Sequence, residues 1–411
     1  MSPAAPGAGT VLDGVPAGAF GPQTQAHGVV DRPGERPRVG VRLHDAVLDV
    51  GRAARRDGLD LADALSEPTL DAFMALGPAA WAQEREWLDA LLPSLDPADE
   101  LLVPLGQVGL RLPFTVADYV DFYASREHAS NLGALFRPGQ PPLPAAWTHL
   151  PVGYHGRAGT VVVSGTGVRR PVGQVRPPGS AAPEVVASRR LDIEAEVGFV
   201  VGIGSVQGEP VPLSAFADHV FGVCLVDDWS ARDLQAWEYV PLGPFLGKSF
   251  ATSVSAWVTP LSSLAAARVP APPREHPVQA YLDDTDHPWG LDLRLGVTLQ
   301  GHHVSSPPFA GMYWTAAQQL AHLTVAGASL RTGDLFASGT VSGPGRHQRG
   351  SLIELTWGGA EPLVLPDGTT RTFLEDGDEV VVTAWAPGPD EEHPVGLGEV
   401  RGRVLPARPL P

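Results

Sequence analysis

The chain has 411 residues, 43% of them hydrophobic and 18% charged, with a formal charge of −17 at pH 7. That length and apolar content suit a globular protein with a large core, divided into about two or three domains. The acidic balance repels phosphate backbones and anionic lipid, and the arginines are scattered, so nucleic acid and membranes are excluded as expected partners.

Two residue counts narrow the chemistry further. The single cysteine, Cys224 in "VFGVCLV", rules out an internal disulfide framework and a Cys-cluster zinc site, and reads as a small buried hydrophobe. Lysine also occurs once, as Lys248 in "PLGPFLGKSF", so the other 28 of the 29 basic side chains are arginine. An ammonium is a compact donor that a guanidinium does not replace. No run approaches the ~18 apolar residues of a spanning helix. The start, "MSPAAPGAGTVLDGVPAGAF", has neither a basic nor an apolar leader region, which predicts a cytoplasmic protein.

In chain order, the 47 glycines and 42 prolines break up helical periods and predict a β-rich fold. Up to about Arg36 the Pro/Gly-rich start is expected to be loosely ordered. "RVGVRLHDAVLDV" predicts a hairpin turning at His44-Asp45. "TLDAFMALGPAAWAQEREWLDALL" has helical spacing through Phe73, Trp81, Trp87 and Leu91, which predicts a core-facing helix. A boundary near Pro113 then divides the chain into domains 1–113 and 114–411. The segment "FTVADYVDFYASREHASNLGALF" reads as a helix capped by Thr115 and carrying Asp118, Asp121, Tyr123 and His128. "LPVGYHGRAGT" places Tyr154 and His155 in a Gly-rich turn. Strands are predicted at "GTVVVSG", "LDIEAEVGFVVGIG", "DHVFGVCLVDD", "LRLGVTLQG", "LIELTW" and "DEVVVTAW", giving a mainly β fold, a roll or barrel with helices packed on it.

The strand "LDIEAEV" carries the strongest chemical signal. Period-two geometry sends Leu191, Ile193, Ala195 and Val197 to one face and Asp192, Glu194 and Glu196 to the other. A solvated strand edge would tolerate three like charges, but this strand runs on into the apolar "GFVVGIG", and buried carboxylates need a cation or a proton. Asp227-Asp228 ends another apolar run, and with Asp121 these oxygens form a candidate cage for Mg²⁺ or Ca²⁺. Zinc is disfavoured, because no His-Glu-x-x-His or paired Cys is present.

After Asp228, Ser230 reads as the N-cap of a short helix whose Arg232, Gln235 and Tyr239 share one face, donors suited to an anionic substrate or an oxyanion. "GPFLGKSF" is one residue short of a P-loop, since only Pro244, Phe245 and Leu246 separate its glycines, and "GIGSVQG" fails the dinucleotide pattern. His128 is the preferred general base of the 13 histidines. No Gly-x-Ser-x-Gly elbow marks a serine hydrolase.

Together "DFYASREHASNLGALFRP", "HLPVGYHGRAGTVVVSGTGVRRPVGQ", "LDIEAEV", "DDWSARDLQAWEYVPLGPFLGKSF" and "ASGTVSGP" resemble the fumarylacetoacetate hydrolase family, and the likeness runs from "PRVGVRLHDAVLDV" to "GRVLPA". The resemblance implies a small SH3-like N-terminal barrel, a C-terminal β-roll and a homodimer. It also implies hydrolysis of a carbon–carbon bond in a small diketo acid, 4-fumarylacetoacetate, to fumarate and acetoacetate, the last step of tyrosine and homogentisate breakdown. By the same resemblance the metal ligands fall on Asp121, Glu194, Glu196 and Asp228, which leaves Asp192 out. His128 becomes the base and Glu354 the carboxylate that orients it. Arg232, Gln235 and Lys248 surround the oxyanion and the leaving carbanion. Tyr123, Arg137, Tyr154, Gln235, Tyr239 and Thr340 become substrate-binding positions. A second cation position falls at Lys248 and Thr252, where this chain has Ala251 in place of the expected glycine. Two rival readings stand beside it: a metal-dependent decarboxylase, isomerase or acylpyruvate hydrolase of the same superfamily, and a non-catalytic, metal-stabilised dimer.

Overall fold

Frequent Pro and Gly keep most strands short, and the strands pair mainly in two sheets. The structure, a computed structural model, describes residues 14–177 and 179–409. Among the described residues the larger sheet has 13 strands. Its main path runs Leu102–Pro104, Ala46–Asp49, Arg38–Leu43, His27–Asp31, Trp257–Pro260, Val220–Asp228, Ala195–Val201, Leu335–Ala337, Tyr119–Phe122 and Gly153–His155. Gly109–Arg111 pairs with His27–Asp31, Thr252–Val254 with Val220–Asp228, and Val161–Val163 runs parallel to Thr252–Val254. A second sheet has five strands, in the order His302–Ser305, Arg294–Leu299, Glu379–Ala386, Val395–Leu405 and Val168–Arg169.

The N-terminal strands join the large sheet at one seam, where His27 lies opposite Val258 and Gly28 opposite Trp257. Glycine is required there, because a Cβ on residue 28 would come within 2.7 Å of the Trp257 ring.

Side-chain alternation decides where the site lies. Val197, Phe199, Val223, Leu225, Val120 and Phe122 point into a core shared with Leu295, Val297, Val380, Val382 and Val400 of the five-stranded sheet. Residues of opposite parity, Tyr119, Val200, Cys224, Val226, Leu335 and Ala337, pack on Val39, Val41, Leu48, Phe73 and Leu88 of the N-terminal region. Each Val, Leu or Phe among them contributes about 1.5–3 kcal/mol when fully buried. Followed to its end, this second face carries Asp121, Glu194, Glu196 and Asp228, just where the apolar cover stops.

The expected hairpin forms, with His44 at φ +53° in its turn. Four local expectations need correction. The start is not loose up to Arg36: residues 1–13 lie outside the described residues, but Ala19, Phe20, Thr24, Gln25 and Ala26 are buried and His27–Asp31 is a strand. Burial wins over composition there, with the Arg42 guanidinium 3.5 Å from the Phe20 ring centre. The helix through Phe73 and Leu91 is split at Gly77, φ +84°, into Asp71–Met74 and Pro78–Leu91. Thr115 caps no helix: "YVDF" is a strand, and the helix begins at Arg126 behind Ser125, whose side chain accepts from the His128 N–H. "LIELTW" is not a strand but contains a helical turn, Leu352–Leu355. No helix among the described residues is long and apolar enough to cross a membrane.

Candidate active site

Strand register brings the four acidic residues together from three stretches of chain. Ala195 lies opposite Asp227, the Asp228 N–H donates to the Glu194 carbonyl at 3.2 Å, and Asp121 pairs with Ala337 on the far side of the acidic strand. One oxygen from each of Asp121, Glu194, Glu196 and Asp228 lies within 4.8 Å of the others, and all four residues are buried. Both Glu196 oxygens and Asp121 Oδ1 lack a hydrogen-bond partner among the described residues.

Burial, followed by the charge of Asp228, pushes the Asp121 carboxyl well above the usual range. Burial and the charge of Asp121 do the same to Glu196. Hard, unpartnered oxygens under mutual repulsion fit a divalent cation, which supplies the missing positive charge.

Two cationic side chains hold the other carboxylates. Lys248 Nζ donates to Glu194 Oε2 and, at 2.6 Å, to Asp228 Oδ2. Arg232 Nη2 lies 2.8 Å from Glu194 Oε1. Burial works against the charge on Glu194, but Arg232 and Lys248 outweigh it and hold its carboxyl well below the ordinary value. Burial likewise opposes the Lys248 ammonium, but Asp228 and Glu194 outweigh it and keep the lysine charged.

The turn before Lys248 fits tightly against the helix Arg232–Glu238. A Cβ on Gly247 would lie 2.8 Å from the Gln235 nitrogen, and the Gly247 N–H donates to Glu238 Oε1 at 2.6 Å. The glycine of "FLGK" therefore serves close packing that aims Lys248 inward. Asp228 also accepts from Thr252 Oγ1 at 2.9 Å and from the Tyr154 hydroxyl at 3.0 Å. Both residues named for a second cation, Lys248 and Thr252, thus converge on Asp228.

The helix Arg126–Phe136 presents His128 from its first turn. His128 Nδ1 lies 2.7 Å from Glu354 Oε2, and Nε2 faces Glu194 Oε1 at 3.6 Å. Glu354 is fully buried and accepts from Ser342 Oγ, Ser351 Oγ and Asn131 Nδ2 as well. With a carboxylate as its partner, Nδ1 keeps its proton and Nε2 is the atom that gains and loses the second one. Burial alone would lower the His128 pKa, but the charges of Glu354 and Glu194 outweigh it and raise it to about 9.

Residues 118–405 match the family Fumarylacetoacetate (FAA) hydrolase C-terminal. The chain belongs to the fumarylacetoacetate hydrolase family. Residues 27–113 match the companion Fumarylacetoacetase N-terminal family. Fumarylacetoacetase of Homo sapiens is 46% identical over 400 residues, covering 93% of this chain and 95% of the relative. That of Bos taurus is 44% identical, covering 90% and 92%. The fumarylacetoacetate hydrolase of Exiguobacterium antarcticum shares the fold, with a TM-score of 0.52 at 17% identity over 93% of this chain and all of that one.

In this member of the fumarylacetoacetate hydrolase family most of the remaining predicted residues make contacts outside the carboxylate cluster. Tyr123 packs edge-on against His128, ring centres 5.3 Å apart. Gln235 Oε1 accepts from Arg232 Nη1 at 3.2 Å, which leaves its amide N–H groups to point elsewhere. Tyr239 closes the same helix and lies 6.3 Å from the Phe136 ring. Arg137 ends the His128 helix and donates to the Pro142 carbonyl at 2.8 Å. Thr340 is buried with Oγ1 unpartnered. Ser230 does not cap the Arg232 helix, because it is spent in a short strand pair opposite Asp192. Asn131, Ser342 and Ser351 had not been anticipated. For Ser351 a signal existed: "SLIE" has the Ser-x-x-Glu spacing of a helix start.

Proposed function

We propose that the protein hydrolyses 4-fumarylacetoacetate to fumarate and acetoacetate. The observation that carries this reading is the buried His128–Glu354 pair, whose free Nε2 faces a four-carboxylate cage flanked by Arg232 and Lys248. The fumarylacetoacetase relatives support the substrate.

Asp121, Glu194, Glu196 and Asp228 would hold the cation, Mg²⁺ or Ca²⁺. When bound, that ion supplies Lewis acidity toward the oxygens of the diketo acid. His128, oriented by Glu354, takes a proton from water at Nε2, and the hydroxide adds to the C4 carbonyl carbon. Arg232 and the Gln235 amide donate to the oxyanion that forms. The carbon–carbon bond then breaks toward the acetoacetate side, the bonding pair going to the leaving carbon, which takes a proton from the Lys248 ammonium. An ammonium presents its protons on a compact, rotatable head, whereas a guanidinium holds its N–H groups in a rigid, delocalised fork. In this reading Tyr123, Arg137, Tyr154, Tyr239 and Thr340 serve as substrate contacts, and Thr252 with Lys248 as the second cation position.

In this reading the protein works in the cytoplasm as a homodimer of two-domain chains, residues 1–113 and 114–411. Val240, Leu242, Phe245 and Leu246, exposed beside the site, give a second copy an apolar surface to cover. Incubating Mg²⁺-loaded protein with fumarylacetoacetate should abolish the diketo absorbance and release fumarate. An unchanged substrate refutes the reading, and release of CO₂ or of an isomer in place of fumarate points to the superfamily's other chemistries.

A further inference from the structure

Asp192 is the one carboxylate of "LDIEAEV" that the metal cage does not use; it sits on the short strand Leu191–Asp192, separate from Ala195–Val201, and no part of it is exposed. Its two oxygens accept from four donors. Oδ1 takes the N–H groups of Ile193 at 2.8 Å and Leu352 at 2.7 Å. Oδ2 takes Arg232 Nε at 2.8 Å and the Ile353 N–H at 3.1 Å. These donors belong to three different arms of the site: the link between the strands Leu191–Asp192 and Ala195–Val201, the oxyanion-facing helix, and the helical turn that carries Glu354.

Each contact substitutes for something the local sequence does not supply. Ser351 precedes the turn Leu352–Leu355, but its side chain makes no capping bond and its hydroxyl goes to Glu354 Oε2 at 2.7 Å. The first N–H groups of that turn are served by Asp192 instead, from 160 residues away in the chain. The Arg232 helix also lacks a side-chain cap, since Ala231 precedes it. Its guanidinium is fixed through Nε on Asp192, which turns Nη1 toward Gln235 and Nη2 toward Glu194. A planar guanidinium locked at Nε has its other two nitrogens fixed in direction.

We propose that Asp192 is the positioning residue that sets the oxyanion donor Arg232 and the base-orienting Glu354 in register with each other. This rests on the functional reading above. It assigns Asp192 no contact with substrate or cation; it acts through the two groups that it holds.

The test is Asp192→Asn, which keeps the shape but turns an amide N–H₂ toward donors that now have no acceptor. With Mg²⁺ saturating, kcat should fall about 100-fold or more while KM stays within about threefold, because a mispositioned donor is lost mainly in the transition state. Calorimetric Mg²⁺ affinity should be unchanged. The deshielded Nδ1 proton of His128, assigned in NMR spectra by its loss in His128→Phe, should shift or disappear. Parent-like kcat overturns the proposal. So does a tenfold or greater loss of Mg²⁺ affinity with kcat restored at high Mg²⁺, which would make Asp192 a ligand.

If Asp192→Asn does not fold, Asp192→Glu is read by the same measurements: its charge is intact but its reach is one methylene too long, so a parent-like kcat again overturns the proposal. A parent protein inactive on fumarylacetoacetate refutes the functional reading alone. The NMR comparison still decides the role of Asp192 in that case, an unshifted His128 proton counting against it.

Discussion

Lys248→Arg separates the charge of the lone lysine from its acidity. The ammonium is buried between Glu194 and Asp228, 2.6 Å from Asp228 Oδ2, and both carboxylates keep it charged. A guanidinium at this position keeps the positive charge and offers a fork to the same two carboxylates, so the fold and Mg²⁺ binding should survive. Its N–H groups are held in a rigid, delocalised fork on those carboxylates, so none can swing toward the leaving carbon as the compact ammonium does. General acid catalysis is worth about 10²- to 10⁴-fold, so kcat should fall by that factor, equivalent to about 3–5 kcal/mol of barrier. Lys248→Met is the charge control: removing one partner of a buried ion pair costs about 3–5 kcal/mol, which urea unfolding in EDTA should register. The assay is steady-state turnover by fumarate release at saturating Mg²⁺, with the folded fraction checked by circular dichroism. Turnover of Lys248→Arg within about threefold of the parent would refute the proton-donor role and return the lysine to an interchangeable cation.

Three further outcomes follow from the same geometry. His128, with a pKa of about 9 against an ordinary 6.5, binds its proton more tightly folded than unfolded. Its contribution to stability in metal-free protein is therefore full below about pH 6.5 and lost as pH rises through 9; added Mg²⁺, by taking up the charge of Glu194, should move the NMR titration of the imidazole to lower pH, and an unmoved titration contradicts the proximity of the two sites. Glu196→Gln should act in opposite directions, raising metal-free stability by about 1–3 kcal/mol as repulsion is relieved while weakening Mg²⁺ binding about tenfold or more. If both fall together, Glu196 is not the strained, unpartnered carboxylate described. Cys224, buried and with its thiol pushed up to about 12 by burial, should resist iodoacetamide near pH 8 until denaturant is added; rapid labelling of native protein would contradict its packing.

What could be read from sequence depended on how local each feature is. In "LDIEAEV" alternation of consecutive residues correctly puts Glu194 and Glu196 on one side, but the expected single strand breaks at Ile193–Glu194 and Asp192 pairs separately, opposite Ser230. Asp121 was also found, but on the wrong element: an apolar pattern in "FTVADYVDFYASREHASNLGALF" spans both a strand and a helix, and only Ser125 marks the true start. "LIELTW" misled because a short stretch with four apolar residues in six suits either state, and the tie is broken by Asp192 reaching in to cap the turn. Ser230 has the right chemistry for a cap, yet a strand pair with Asp192 claims its backbone first. The pairing of Glu354 with His128 spans 226 residues and has no local signature; only family resemblance suggested it. The buried start from Ala19 was hidden for a similar reason, since its partners, such as Gly396, whose N–H donates to the Ala19 carbonyl at 2.6 Å, come from the other end of the chain.

The seam at His27 and Val258 bears on how the molecule comes apart. Trp257–Pro260 is an interior strand only because His27–Asp31 lies beside it. Deleting residues 1–113 would turn that strand into a bare edge with free N–H and C=O groups, an invitation to pair with another chain. The same deletion would strip the cover from Phe221, Cys224 and Val226, on the strand that ends in Asp228. The two halves should therefore unfold in one cooperative step, and a catalytic half expressed alone should aggregate before its loss of activity can be measured.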